Sequence, residues 1–572
     1  MHYSPLDTNK HQIRLLHLTP SSDRRKTIVC HFSIISLSEG DQVANYEALS
    51  YAWGAPVLNR SIRLEGAHYA VTANLKVILR ALRHAEHERV LWVDAICIDQ
   101  HNIAERSHQV SRMNDIYSKA SNVIIWLGEP RSDAALAFRF LEEFGRNQIE
   151  PLPMDDEKRN MEQTALAVRS LLTRSWWTRI WTAQEWILAT QTIFQSGPYT
   201  LKGETLLGCL SHYQRHVKAT DCCDMHLTSD FLFRLGDSLQ PILALHLVKL
   251  SYVEQDFSYS LGLLRTREAT DLRDKVYGVL ALAVNRYSGL LRADYLLPVE
   301  IVYEQLTIAL IERTRRLDIF SHIIPNQPRN LDVPSFVPDW TIEPGKEYSN
   351  DWTVRFLSNS RYDACLSKPA EFKIRPKVLY IKGLVIDVVK NLTVRRLGSY
   401  KKTTLYRNQL LNEMYKLAEP AEAVYYEDER QTRKQAFWLT VCGGLEALPE
   451  ANSSGSETFV DNFETFVKWE EWFRGPRTSY QTSDVRLRAV TDSIASVSKG
   501  RTFCTTEQGR IGWVPKNSIA GDAIAVLTGG QLPIVLRSCG DHHTVVGDAY
   551  VHGIMQGEAF ESANDLECIE LH

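Results

Sequence analysis

The sequence predicts an α/β fold: a doubly wound parallel sheet in the first 200 residues, a helical region, and a C-terminal α+β region with a small β-barrel. Three observations carry this. Between 46 and 127, three apolar strand-like runs alternate with two segments of helical periodicity. From 206 to 350 the apolar residues recur mostly at helical spacing. From Thr502 to Val551 short apolar runs alternate with turns at Gly509, Gly521-Asp522, Gly529-Gly530 and Gly540-Asp541, the pattern of a barrel or curled sheet.

Composition excludes several classes. The chain has 572 residues, enough for three or so domains. Its 44% hydrophobic and 23% charged residues are those of a globular protein, and not of a disordered or disulfide-stapled one. Lys and Arg number 65 against 69 Asp and Glu, a net charge of −4, so no global basic field points to nucleic acid. The longest apolar runs, such as Val123–Leu127 and Ala523–Leu527, are far shorter than a membrane helix requires. The opening residues, which include Lys10, His11 and Arg14, have no apolar signal core. Ten irregularly spaced cysteines without a C-x-x-C pair fit the reduced thiols of an intracellular protein, cytosolic or nuclear, and the cytoplasm is the expected location.

Taken in order, Tyr46–Tyr51 reads as a strand that runs into the breaker cluster Ala52-Trp53-Gly54-Ala55-Pro56. Residues 73–85 form a helix with Leu75, Ile78, Leu79 and Leu82 on one face. Val90–Ile98 is apolar on both faces, as a central parallel strand is, and ends in Asp99-Gln100-His101-Asn102. A helix over about 104–120 and a third buried strand, Asn122–Leu127, complete a βαβαβ unit. A further helix spans 133–147, Pro151–Asp156 breaks the chain, and helical periodicity returns from about 162 to 190.

Ligands of such sheets bind beyond the carboxyl ends of the strands, here Tyr51–Gly54, Asp99–Asn102 and Gly128–Pro130. Asp94, a carboxylate inside a strand, either ties down a neighbouring loop or lines a pocket. On a helical wheel Trp177, Ile180, Trp181, Gln184 and Leu188 share a face, with Glu185 at the edge of that stripe. There Glu185 is half desolvated and takes either a docking Arg such as Arg179 or a ligand. There is no Gly-rich phosphate loop, neither G-x-G-x-x-G nor G-x-x-x-x-G-K-[ST], which disfavours a Rossmann dehydrogenase and a P-loop NTPase.

Several blocks resemble the fungal heterokaryon-incompatibility (HET) domain. They are Tyr46-Glu-Ala-Leu-Ser-Tyr-Ala-Trp-Gly54, Leu91-Trp-Val-Asp-Ala-Ile-Cys-Ile-Asp-Gln100, Glu105–Tyr117, Val123-Ile-Ile-Trp-Leu-Gly128 and Arg174–Glu185. Further blocks follow at Asp271–Tyr277, Ala293–Tyr295, Val337–Trp340 and Gly547–Gly553. The resemblance implies a role in self/non-self recognition, in which incompatible hyphal fusion triggers programmed cell death. HET domains are considered distant relatives of TIR domains, whose core is flavodoxin-like. Some TIR domains hydrolyse NAD through the glutamate of a Trp-x-x-x-Glu pattern, a spacing that Trp181-Thr-Ala-Gln-Glu185 shares. The resemblance thus implies Glu185 as the catalytic carboxylate and NAD as a substrate, with no resident cofactor and no metal. Tyr51 or Trp53 would stack on a ring, Asp99 or Gln100 would bond ribose hydroxyls, and Gly54, Asp94 and Trp181 would line the site. Two alternatives stand beside this: a non-enzymatic signalling protein working by self-association or a protein partner, and a HET fold recruited to another small-molecule reaction.

The expected domains are 1–205, the HET domain; 206–370, helical with a Pro-rich connector at Pro325–Trp340; and 371–572, α+β, with the barrel at about 500–560. In the last, Val378–Val389 reads as a strand and 403–418 and 431–446 as helices. Asp221–His226 lacks zinc spacing and reads as an ordinary loop, His542-His543 as an exposed turn, and Ala451–Glu457 as a disordered loop.

Overall fold

A computed structural model describes residues 3–37, 45–55, 57–146, 157–218, 229–254, 257–324, 329–342, 359–394, 404–420, 425–426, 431–444, 460–475, 484–561 and 565–572. Asp221–His226, Pro151–Asp156 and Ala451–Glu457 lie outside these residues. The chain divides into two compact units, Met1–Pro298 and Val299–His572. The break between them falls inside the segment 206–370, read as one helical region.

The first unit is built on a nine-stranded sheet of β1 (Gln12–Leu18), β2 (Val29–Ser36), β3 (Glu47–Tyr51), β4 (Arg60–Leu64), β5 (Ala67–Val71), β6 (Arg89–Trp92), β7 (Asn122–Trp126), β8 (Thr192–Ser196) and β9 (Tyr199–Lys202). Their order is β5-β4-β2-β1-β6-β3-β7-β8-β9. The centre, β6-β3-β7-β8, is parallel throughout. Numbered along the chain these four strands lie 2-1-3-4, the flavodoxin-like order, which reverses direction beside β3. The predicted α/β core is present, but the sheet is mixed. β1 pairs antiparallel with both β2 and β6, and β4–β5 and β8–β9 are antiparallel hairpins. The β4–β5 turn has Glu65 and Gly66 both at positive φ, 51° and 76°, as a two-residue primed turn requires.

Two predicted elements are divided. The strand expected over Val90–Ile98 ends at Trp92, and Asp94–Cys97 forms a helical turn, α2, after α1 (Ala73–Leu82). The apolar run continues because Ile96, Cys97 and Ile98 are buried in this turn, and a short apolar run does not distinguish strand from buried helix. Asp94 is therefore not inside a strand but just past the carboxyl end of β6. Residues 104–120 form α3 (Ile103–Ser111), capped by Asn102, and α4 (Met113–Lys119), separated at Arg112.

After α5 (Ala134–Gly145), the expected 162–190 helix is also interrupted. It consists of α6 (Glu157–Leu172), a 3₁₀ turn over Ser175–Thr178, and α7 (Trp181–Ile187). Trp177 thus sits on the 3₁₀ turn and not on the face that carries Trp181. It packs with Trp176, Trp186 and Phe194 in a buried cluster whose ring centroids lie 4.8–6.4 Å apart. The helices α8 (Gly203–Lys218), α9 (Ser229–Glu254), α10 (Phe257–Leu264) and α11 (Asp274–Leu280) complete this unit.

The second unit starts with α12 (Val299–Thr314). Of the Pro-rich connector, the described part is ordered by Arg329, whose guanidinium donates to the carbonyls of Val333, Pro334, Ser335 and Val337. Its strands are β10 (Phe372–Arg375), β11 (Val378–Leu392), β12 (Tyr425–Tyr426), β13 (Gln431–Thr432), β14 (Arg501–Thr506), β15 (Ile511–Pro515), β16 (Ala523–Leu527), β17 (Ile534–Cys539), β18 (His542–Asp548), β19 (Tyr550–Val551) and β20 (Glu567–Leu571). The predicted barrel is there, and it closes as β11-β16-β17-β18-β20-β11. It draws β11 and β20 from outside the 500–560 window. Register shifts after Val385 and Val389 let the 15-residue β11 bend from the barrel into the β14–β15–β19 extension. Gly383 serves the same closure: a Cβ there would stand 2.8 Å from the Val526 carbonyl oxygen. His542-His543, read as an exposed turn, instead opens β18, with the His542 ring 4.2 Å from that of His572.

Candidate active site

The strand-order reversal places the carboxyl ends of β3 and β6 side by side, and α7 packs against β3 and β7 there. Ser50, on β3, would be a costly polar group in this core without partners. Its hydroxyl accepts from Trp176 Nε1 at 2.7 Å and donates its proton to Glu185 Oε2. A directional chain, Trp176 to Ser50 to Glu185, results. Glu185 itself is only 6% exposed.

Burial is the main reason that the Glu185 carboxyl is pushed up to about 8, and the nearby Asp94 pushes it the same way. The Ser50 hydrogen bond, the Arg179 charge and the Tyr117 hydroxyl act against that rise. Glu185 is therefore largely protonated at neutral pH. Asp94 is also raised, by desolvation, against the pull of hydrogen bonds from Trp53 Nε1 (2.8 Å) and the Ala95 N–H (2.7 Å) and of the Arg179 charge. Arg179 is thus the cation felt by both carboxyls, while its Nη1 donates to the Tyr51 carbonyl at 3.2 Å. Burial, first, and the carboxyls hold the Tyr51 and Tyr117 hydroxyls well above the ordinary tyrosine range, hence neutral.

The structure thus groups Glu185, Tyr51, Asp94 and Trp53 around Arg179. Gln100 joins at one remove, since its Nε2 donates to the Asp94 main-chain carbonyl at 3.0 Å. Gly54 is exposed at φ 75°, in a turn that Asn74 Nδ2 holds by the Ala52 carbonyl at 2.6 Å. Two predicted residues are employed elsewhere. The Asp99 carboxylate accepts the His101 N–H at 3.1 Å within its own turn. Trp181 Nε1 donates to Asp274 Oδ2 at 3.0 Å, and Tyr295 donates to the other oxygen of Asp274 at 2.7 Å. Burial raises Asp274 to about 6.

Ser50, Trp176, Tyr117, Arg267 and Asp274 escaped sequence reading. Buried Arg267 donates to the Arg179 carbonyl and to Thr182 Oγ1, and Glu268 bridges by backbone hydrogen bonds to Thr178 and Ile180. The 265–275 segment therefore anchors the amino end of α7. The sequence signal was the Asp271–Tyr277 block, to which no role in the site was attached.

Ser50→Ala is expected to cost about 1–3 kcal/mol, because Trp176 Nε1 and Glu185 both lose their partner. Losing a hydrogen bond that favours the charged form also moves the Glu185 carboxyl further up. Urea unfolding at several pH values checks both: the variant's stability keeps falling above pH 8, where the wild type's Glu185 contribution has levelled off.

Among the described residues no helix is long and apolar enough to cross a membrane. The family model described as heterokaryon incompatibility protein (HET) matches residues 46–185, from the start of the β3 region to Glu185 itself. That of the Het-6 beta-barrel domain matches 482–568, which covers β14 to β19 but not β11. The chain is 25% identical to heterokaryon incompatibility protein 6, OR allele, of Neurospora crassa, over 96% of its own length and 95% of that protein's. No solved structure matches it. The order of parts is the same as in the sequence reading, a HET domain first and a barrel last. The chain thus carries a HET domain over residues 46–185 and a Het-6 beta-barrel domain over residues 482–568.

Proposed function

We propose that this protein acts in fungal self/non-self recognition and brings about cell death by hydrolysing NAD, with Glu185 as the carboxylate that faces the reacting ribose. One observation supports this above the others: an ionisable carboxyl is held out of water where the strand order of a parallel sheet reverses, beside a second carboxyl and a shared arginine. Cleaving the nicotinamide–ribose bond builds positive charge on the ribose. A poorly screened carboxylate stabilises that charge strongly. Water adds at the ribose carbon, nicotinamide departs with the bonding electron pair, and the proton from water passes to solvent. The cationic nicotinamide ring would itself favour the ionised form of Glu185. Trp53, half-buried beside Asp94, is the ring available for stacking, and Gln100 and Asp94 supply polar contacts. Trp181 holds α7 through Asp274. The site of action in this reading is the cytoplasm, where NAD is available.

A second reading has an observation of its own. Glu185 is almost fully buried and already bonded to Ser50, as a core carboxyl that carries its proton for structural reasons would be. In that case the domain works by self-association or by contact with a partner protein. Expression in hyphae meeting an incompatible strain separates the two. The enzymatic reading expects the NAD pool to fall before cells die, and Glu185→Gln to abolish both events. Death with an intact NAD pool, unchanged in Glu185→Gln, supports the second reading and overturns the first.

A further inference from the structure

At the other end of the same sheet lies a cluster that neither proposed reading uses. His17 on β1 and His31 on β2 are directly opposite in the antiparallel register, and their rings stack with centroids 4.6 Å apart. Glu88 precedes β6, the strand on the other flank of β1. Three adjacent strands therefore bring two imidazoles and a carboxylate together. One ligand atom from each lies within 4.8 Å of the other two.

We propose that His17, His31 and Glu88 form a binding site for a divalent transition metal ion, with Zn²⁺ the best match. The donor set is the reason. Two imidazoles and one carboxylate suit Zn²⁺ and its first-row neighbours, whereas Mg²⁺ and Ca²⁺ prefer oxygen alone. The geometry needs little change. Ligand atoms at Zn–N and Zn–O distances of about 2.0–2.1 Å stand roughly 3.3 Å apart in a tetrahedron. Here His17 Nδ1 is 2.8 Å from Glu88 Oε2, and His31 Nε2 is 3.7 Å from Glu88 Oε1. Small rotations of an exposed Glu and an exposed His span the difference.

The other His17 nitrogen is already engaged: Nε2 lies 2.7 Å from Ser33 Oγ. Ser33 is two residues from His31 on β2 and so presents the same face. If that nitrogen carries the proton and the Ser33 hydroxyl accepts it, Nδ1 is left with its lone pair toward the site, which is how ligating histidines are commonly oriented. Three protein ligands leave a position for water, so the site is open to solvent. Sequence spacing gave no hint of it, because residues 17, 31 and 88 converge only through strand pairing.

The test titrates chelator-treated full-length chain with ZnCl₂ by calorimetry and with CoCl₂ by visible absorption, for the wild type, His31→Ala and Glu88→Gln. Both substitutions fall at exposed positions, and circular dichroism verifies that each variant folds. The wild type is expected to bind one more Zn²⁺ than either variant, or to bind it more than about tenfold tighter, the loss that follows even from disturbing a partner of a ligand. It also gains thermal stability with ZnCl₂ that the variants lack, and MgCl₂ has no such effect. Equal stoichiometry and equal affinity in all three proteins would overturn the proposal, since any metal taken up would then sit elsewhere on the chain.

Discussion

Glu185→Gln is expected to stabilise the protein progressively as pH rises from about 4.5 to about 8, then to keep a constant advantage. The sign follows from the direction of the shift. Unfolded, the carboxyl ionises near 4.5; folded, it ionises near 8. Between these values the unfolded state has released a proton that the folded state keeps, so the wild type loses stability with increasing pH. The slope is about 1.4 kcal/mol per pH unit, which accumulates to a few kcal/mol. Gln has no proton to lose, and its amide oxygen still accepts from Ser50. Urea midpoints of the two proteins, measured across this range, should diverge and then run parallel. Midpoints that differ by a constant amount at all pH values would mean that Glu185 ionises normally and is not desolvated.

Arg14→Met is expected to cost about 3–5 kcal/mol, the price of leaving a paired charge alone in a core. Arg14 is 1% exposed on β1 and meets Glu105 of α3 through both nitrogens, at 2.5 and 3.0 Å. The same guanidinium donates to the carbonyls of Cys97 (3.1 Å) and Ser4 (2.5 Å), and Glu105 also accepts the Asp99 N–H at 2.8 Å. One cation thus ties the turn from Asp94 to Asn102 onto the sheet. Its loss should loosen that turn, and with it the Asp94 side of the site. Removing Glu105 as well is expected to recover part of the stability, because the uncompensated carboxylate is then gone. A double-mutant cycle in urea reads the coupling. Additive effects of the two substitutions would show the pair to be energetically idle.

How far the sequence reached depended on the kind of signal. The parallel strand β3 was legible as an alternating run that meets the Ala52–Pro56 breaker cluster, and β7 as a continuous apolar run closed by Gly128 and Pro130. Six flanking strands, β1, β2, β4, β5, β8 and β9, were not read. β2 has three of its eight residues exposed and only one fully buried, and β4 carries Arg60 and Arg63, so neither stands out as apolar. Glu65-Gly66 was their available turn signal, weaker than Asn-Gly because Glu rarely adopts positive φ. Val90–Ile98 was misread for a different reason. Burial of a helical turn beneath the end of a strand extends the apolar run without extending the strand. At the site, Glu185 and Asp94 were legible as charges in apolar surroundings, and Trp53 came with the Gly54 turn. Ser50 was not, since one serine in a strand signals nothing until Trp176 and Glu185 are brought to it by α7. Trp181 had the right spacing to Glu185 for a shared motif, yet its indole turns to Asp274, 93 residues on.

Nicotinamide release from NAD, measured at high protein concentration for the purified wild type and for Glu185→Gln, tests the catalytic reading most directly. Release by the wild type should increase as the pH approaches 8, where Glu185 ionises, and the Gln variant should fall by about 10²–10³-fold. NAD left intact by the wild type, or released equally by both proteins at every pH, would contradict it.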